Sequence, residues 1–402
     1  MFVKTGILKE SCREGGFAHR LPLFVLAFLL FAAAVAAGIM FGWNAKQSGP
    51  LPVLNLPRKL YALVGEEMNV YFDNLVDGHD TDYDFDVDCG IGMQLERCFR
   101  VVPTKAGTYP CSITVSDKRN GSSLTKKCTI YVADCSAGAG KNRSLIVIGD
   151  STTDSGTCIE KLNSNFADDP MSLSTSGTRG SGENLHEGRS GWTFKLYFSA
   201  EKDREHPDIL NPFFNPDSGT FDASYYFSGT EIAKPDWIFI NLGINDTFSF
   251  EDDRKLNRAM TDLNSMCDDM IRSIHEASPE TRIGIALTIP PNYSQDAFGK
   301  AYQNGQTRRR YKRNNVIWVG NLLSRYENRE KERIHVIPIH TNLDTKYNMG
   351  LESIPHNRRN PETCSSPVTR GSVHPAASGY WQIADIYWFF LKAMEQYPEL
   401  IR

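Results

Sequence analysis

At 402 residues, with 41% hydrophobic and 23% charged side chains, the chain has the composition of a folded protein and length enough for more than one folded unit. The formal net charge of −4 excludes both the basic footprint of a nucleic-acid binder and a strongly acidic tail, so charge designates no partner. No internal repeat or low-complexity segment interrupts the sequence.

Residues 21–43 form an uncharged apolar stretch of about the length needed to cross a bilayer core of roughly 30 Å. Lys4, Lys9, Arg13 and Arg20 precede it against only Glu10 and Glu14. The positive-inside rule therefore keeps residues 1–20 as a cytoplasmic tail and sends everything after residue 43 outward. The expectation is a single-pass transmembrane anchor in the cytoplasmic membrane with an extracytoplasmic catalytic region. Ala34-Val35-Ala36 leaves open a cleaved signal peptide and a secreted product. Of the nine cysteines, Cys12 precedes this segment and eight (89, 98, 111, 128, 135, 158, 267 and 364) follow it, an even number that permits disulfides after export. Free buried thiols are the alternative, and no CxxC pair suggests zinc.

After a Pro- and Gly-containing linker at 44–57, residues 58–135 read as short strands at 59–64, 68–72, 83–88, 94–102, 109–116 and 124–132. Asn120-Gly121, between the last two, is a strong hairpin signal. The pattern predicts a small all-β sandwich domain, and the approach of Gly107-Thr108-Tyr109 to Ile113-Thr114-Val115 resembles immunoglobulin-like modules. Such a likeness implies no function. From 142 to 402 apolar strands alternate with helical stretches, which predicts an α/β domain with a mainly parallel sheet. Strands are expected at 144–148, 237–241, 283–288 and 335–339, and helices at 252–276, 314–329 and 377–396. Open sheets of this kind bind ligands at the carboxyl ends of their strands, and Ser151 and Asn245 both fall just past a strand end.

Serine needs a base to take its proton and donors aimed at the oxyanion it generates. Four segments contain those parts: Gly149-Asp150-Ser151, Ser190-Gly191-Trp192-Thr193, Gly243-Ile244-Asn245-Asp246 and His374-Pro375. In this order they resemble the blocks of the SGNH hydrolases, the GDSL-type esterases and lipases, over residues 142–402. The resemblance implies a flavodoxin-like fold, with Ser151 as nucleophile and His374 as general base. It also implies an oxyanion hole of the Ser151 and Gly191 backbone N–H groups and the Asn245 amide. It implies no metal or organic cofactor. The plainer roles are a helix N-cap for Ser151, a turn glycine for Gly191 and a turn residue for Asn245. Asp150 and Asp246 read as structural, and His186 and Glu187 as a solvated loop or a rim contact.

One position departs from the family. An aspartate normally stands three residues before the histidine, and here that residue is Gly371. A Ser–His dyad, an acid recruited from elsewhere (Glu362 or Asp344), or a weakened enzyme would each fit. Residues 211–216 with Phe221, Tyr225 and Tyr226 are aromatic-rich, suiting either a sugar-stacking loop over the active edge or packing within the domain. The basic run at 308–313 suits either an anionic polysaccharide or a solvated helix face. The expected reaction is hydrolysis of an O-acyl, most simply O-acetyl, ester on a carbohydrate. A lipid esterase or lysophospholipase acting at the membrane and a catalytically weakened glycan-binding protein are the alternatives.

Overall fold

The computed structural model describes residues 50–202, 210–298, 306–367 and 371–401. The expected membrane segment at 21–43 lies outside the described residues. Among the described residues no helix is long and apolar enough to cross a membrane.

Alternating side chains build the first part of the chain. In β6 (Gly107–Asp117) Cys111, Ile113 and Val115 are buried while the residues between them are more exposed, the period of two that a half-buried strand requires. β6 pairs antiparallel with β7 (Ser123–Ala133) through a turn in which Gly121 has φ +69° and the Asn120 side-chain oxygen accepts the Ser122 N–H at 2.8 Å. β1 (Lys59–Leu63) and β3 (Tyr83–Cys89) complete a four-stranded sheet in the order β1-β7-β6-β3. β2 (Met68–Tyr71), β4 (Met93–Gln94) and β5 (Cys98–Val101) form a second sheet in the order β2-β5-β4. The strand predicted over 94–102 is thus broken, because Leu95 N–H turns back onto the Cys98 carbonyl at 2.8 Å. A short helix, α1 (Phe72–Leu75), follows β2.

The eight described cysteines are free thiols, so packing and strand pairing hold this region together. Cys111 stands in register with Cys89 on one side and Cys128 on the other.

The remainder is built on β8 (Asn142–Gly149), β14 (Trp237–Asn241), β15 (Arg282–Ala286) and β16 (Ile334–Ile337), all parallel. β9 (Ser172–Ser176) and β11 (Asn184–Gly188) share the outer edge of β8, and β10 (Arg179–Ser181) runs antiparallel to β11. Leu145, Val147, Trp237 and Phe239 face one side of the sheet, while Ile146, Ile148, Ile238 and Ile240 face the other. Both faces are covered by helices, as apolar parallel strands require.

Helix α2 (Ser151–Asp154) starts directly after β8 and leads to α3 (Thr157–Ala167). Next come α4 (Phe194–Tyr197), the paired β12 (Phe214–Asn215) and β13 (Thr220–Phe221), and α5 (Ala223–Thr230). α6 (Ile244–Phe248) and α7 (Asp253–Ala277) follow β14. α8 (Arg308–Tyr326) begins earlier than the predicted 314–329, capped by the Thr307 hydroxyl, which accepts from Arg310 N–H. α9 (Ile339–Asn342) precedes an exposed hairpin of β17 (Leu351–Asn357) and β18 (Asn360–Pro367), and α10 (Ala377–Gln396) closes the fold.

One hydrophobic cluster runs through both parts, joining Leu60, Val70, Phe72 and Ile130 to Phe239, Ile337 and Phe390. Within the expected linker, Leu54, Asn55 and Leu56 are buried, and the Asn55 side-chain amide donates to the Val316 carbonyl at 2.8 Å. Apart from the exposed Arg309, the basic run is neither a polyanion surface nor a solvated face. Arg308 and Lys312 are buried against Asp73 at 3.0 and 3.3 Å, Arg310 pairs with Asp253, and Arg313 with Asp77 and Asp253. A second clamp runs from Arg97 to Asp344, with two hydrogen bonds of 2.7 and 3.2 Å.

Candidate active site

Ser151 is the first residue of α2, immediately beyond the end of β8. Asp150 makes the turn by accepting from both the Thr152 N–H (2.9 Å) and the Thr152 hydroxyl (2.8 Å). Gly149 is required by close approach: a Cβ there would stand 2.1 Å from the Thr153 hydroxyl. Its carbonyl accepts from the Tyr197 hydroxyl at 2.8 Å and the Arg189 N–H at 3.0 Å, tying the strand end to the next loop.

That loop carries Gly191 at φ +76°, a conformation glycine adopts without strain. Asp154, one helical turn after Ser151, accepts from the Ser190 N–H (3.1 Å) and hydroxyl (2.7 Å), which holds the loop against α2. Beneath it lie Glu187 and Arg189, paired at 2.8 Å with both side chains fully buried. Thr178 and the Tyr226 hydroxyl complete the Glu187 coordination. His186 and Glu187 are therefore interior residues, which corrects the expectation of a solvated loop or rim.

Asn245, in the first turn of α6, donates its amide to the Trp192 carbonyl at 2.9 Å, and Asp246 accepts the Phe194 N–H at 3.0 Å. Asn241, at the end of β14, donates to the hydroxyls of Thr152 and Thr153 at 3.1 and 3.3 Å. The three loops are thus laced to one another.

His374 arrives from the far end of the chain, and its Nε2 lies 2.9 Å from Ser151 Oγ. Both residues are partly exposed. The loop before His374 is fixed by Asn292, whose N–H donates to the Ser372 carbonyl at 2.8 Å and whose amide reaches the Gly371 carbonyl at 3.4 Å. Asp344 and Glu362 are not poised to replace the missing aspartate: Asp344 is clamped to Arg97, and Glu362 stands exposed on β18.

The buried carboxylates near the serine are shifted chiefly by burial, to which the charge of Asp150 adds at Asp246. Burial raises Asp150 to about 6 and Asp246 to about 7, with hydrogen bonds from Thr152 and Phe194 offsetting it only in part. Each keeps one carboxylate oxygen buried without a hydrogen-bond partner among the described residues. Among the described residues no cluster of His, Cys, Asp or Glu could hold a metal ion.

Sequence reasoning missed Asp154, Asn241, Asn292 and Tyr197. Of these only Asp154 left a signal, its spacing of three from Ser151 within one helical turn. The aromatic segment at 211–226 mostly packs inward: Phe213 stacks on Tyr226 and Phe221 at ring distances of 4.1 and 5.0 Å. Tyr225 alone of these rings is well exposed.

A mainly parallel sheet, with a serine and a histidine in contact at the carboxyl end of its strands, defines an α/β protein of the SGNH type. The model of the family described as GDSL-like Lipase/Acylhydrolase matches residues 145–386, and the chain belongs to that family. Among solved structures it is similar to a family 3 carbohydrate esterase of Clostridium thermocellum (16% identity, 61% of this chain and 94% of that one, TM-score 0.35). It is also similar to a possible lipase from Chitinophaga pinensis (16% identity, 64% and 99%, TM-score 0.36). A carbohydrate acetylesterase from Sinorhizobium meliloti is a further match (13% identity, 63% and 99%, TM-score 0.35). At these scores they carry no argument about substrate. No curated protein matches.

Proposed function

We propose that this chain is a serine esterase that hydrolyses O-acyl, principally O-acetyl, esters on a carbohydrate. The observation that carries the esterase reading is the 2.9 Å contact between Ser151 Oγ and His374 Nε2 at the strand ends. His374 takes the hydroxyl proton as Ser151 attacks the ester carbonyl, and then returns it to the departing sugar oxygen. Water, deprotonated by His374, attacks the acyl-enzyme and releases the acid. The Ser151 and Gly191 N–H groups donate to no carbonyl among the described residues, and Asn245 has a second amide proton beyond the one given to Trp192. These are the donors for the oxyanion. With Gly371 at the position of the family's acid, Ser151 and His374 carry the proposed chemistry.

An open, polar edge bearing Asp154, Ser190 and Asn245 suits a small acyl group on a hydrophilic carrier. We assign the β region at 58–135 as immunoglobulin-like on its strand order, and the leader at 21–43 as a membrane anchor on its charge flanks, which gives the catalytic region an extracytoplasmic address.

The test is hydrolysis of p-nitrophenyl acetate and octanoate by the region from residue 46 onward, beside Ser151→Ala and His374→Ala. Turnover falling on the order of 10⁴- to 10⁶-fold in both variants, with acetate preferred, is the expected result. Octanoate preference would favour a lipid ester, and wild-type rates equal to Ser151→Ala would favour a glycan-binding protein without turnover.

A further inference from the structure

The hydrogen bonds that fix the His374 loop lead away from Ser151 toward the β region. Asn292 N–H holds the Ser372 carbonyl, and the next residue, Tyr293, donates its N–H to the Thr345 carbonyl at 3.0 Å. On the other flank Ala376 N–H donates to the Asn348 carbonyl at 3.0 Å, and Met349 bridges Pro375. Segments 292–293 and 345–349 are therefore coupled to His374 through the backbone. Both reach the wall of a cleft of about 370 Å³ whose remaining lining comes from the β region. That volume lies within the roughly 300–1,000 Å³ of small-ligand sites.

Tyr293 and Lys346 face Phe85, Asp84, Glu96 and Lys118 across this cleft. The Lys346 ammonium rests over the rings of Tyr293 and Tyr347, at 5.4 and 5.3 Å from their centroids. Among the described residues neither Lys346 nor Glu96 has an ion-pair partner, and both are exposed. Asp84 and Lys118 lie 3.2 Å apart in the same lining. A simple anion or cation would need a patch of one sign. Donors on Lys346 and acceptors on Glu96 that no ion pair takes up, on opposite walls of one cleft, instead match a polyhydroxylated chain, because each hydroxyl both donates and accepts.

We propose that this cleft is a saccharide subsite, which holds sugar units of the glycan while the ester one or more units away is presented to Ser151. The inference rests on the carbohydrate-ester reading above. It explains why the β region shares a hydrophobic core with the hydrolase: a subsite contributes to positioning only if its distance from the serine is fixed.

The test uses mono-O-acetylated monosaccharides and partially O-acetylated hexasaccharides of the xylose, mannose and galacturonate series. For the best series, the wild type is expected to show kcat/KM at least about tenfold higher on the hexasaccharide, the factor that about 1.4 kcal/mol of extra binding supplies. Lys346→Ala and Glu96→Ala, singly and together, are expected to shrink that preference to within about threefold, chiefly through KM. Both sites are exposed, and equal melting temperatures would exclude misfolding. Sugar esters cleaved with no length preference, or a preference that survives the double variant, would overturn the subsite. Cleavage of p-nitrophenyl acetate but of no sugar ester would remove the carbohydrate reading, and the subsite with it.

Discussion

Buried aspartates are treated in opposite ways at the serine edge and at the seam between residues 51–135 and the rest of the chain. Asp150 and Asp246 are held by hydroxyl and backbone N–H donors, with no cation paired to them among the described residues, and burial raises them to about 6 and about 7. Asp73 is equally buried, but Lys312 and Arg308 outweigh the cost of burial and hold its carboxyl below the ordinary range. The same side chain thus serves in one place as a strut that titrates at about 6 to 7 and in the other as a fixed ion. The struts set loop geometry around Ser151 through hydrogen bonds, whereas the ions bind two regions whose relative position must not change.

This contrast can be tested from its strong end downward. Asp73→Ala leaves Arg308 and Lys312 buried without a counter-charge and is expected to cost about 3–5 kcal/mol in urea unfolding. A loss under about 1 kcal/mol would mean that the hydrophobic core alone holds the seam. At the serine edge, Asn245→Ala should lower kcat by about 10²- to 10³-fold with little change in KM, as for loss of one oxyanion donor. An effect confined to KM would make Asn245 a binding residue only. Asp154→Ala frees Ser190 from α2 and removes two hydrogen bonds, one of them to the backbone. A cost of about 1–3 kcal/mol is expected, divided between stability and kcat and measured by melting and p-nitrophenyl acetate hydrolysis. Unchanged values in both would show that the Glu187–Arg189 pair positions the Gly191 loop unaided.

The smallest effect concerns pH. Unfolded aspartates titrate near 4, so between about pH 4 and 7 the folded protein keeps protons on Asp150 and Asp246 that the unfolded chain has released. The stability these groups contribute is full below about pH 4 and declines as pH rises through about 6 to 7. Asp246→Asn should flatten the fall in melting temperature across that window. An unaltered pH profile would place Asp246 among ordinary ionised carboxylates and erase the contrast with Asp73.

Most of the architecture was legible because it depends on local pattern. The period-two runs in β6 and β7 and the Asn120-Gly121 turn marked a hairpin that is present, and the apolar run before Ser151 marked the strand that ends there. The helix expected at 252–276 is α7, displaced by one residue. The short strands β9, β10 and β11 were not legible, since they are held by pairing to β8 and to one another rather than by their own apolar content. The aromatic segment left two readings open for a related reason, of which packing within the domain is the one found: periodicity does not distinguish a ring exposed to ligand from one stacked in a core.

What the order of residues settles is the chemistry available: a serine after a strand, a glycine and an asparagine in later loops, and a histidine near the end, with no acid at position 371. Which of them meet is a matter of three dimensions. Ser151 and His374 are 223 positions apart in the chain and 2.9 Å apart in space, and no local preference encodes that distance. Arg308 and Lys312 read as surface charges until Asp73, 235 and 239 positions away, is seen beside them. Burial and charge pairing are long-range quantities, fixed only when the sheet and its helices have closed around them.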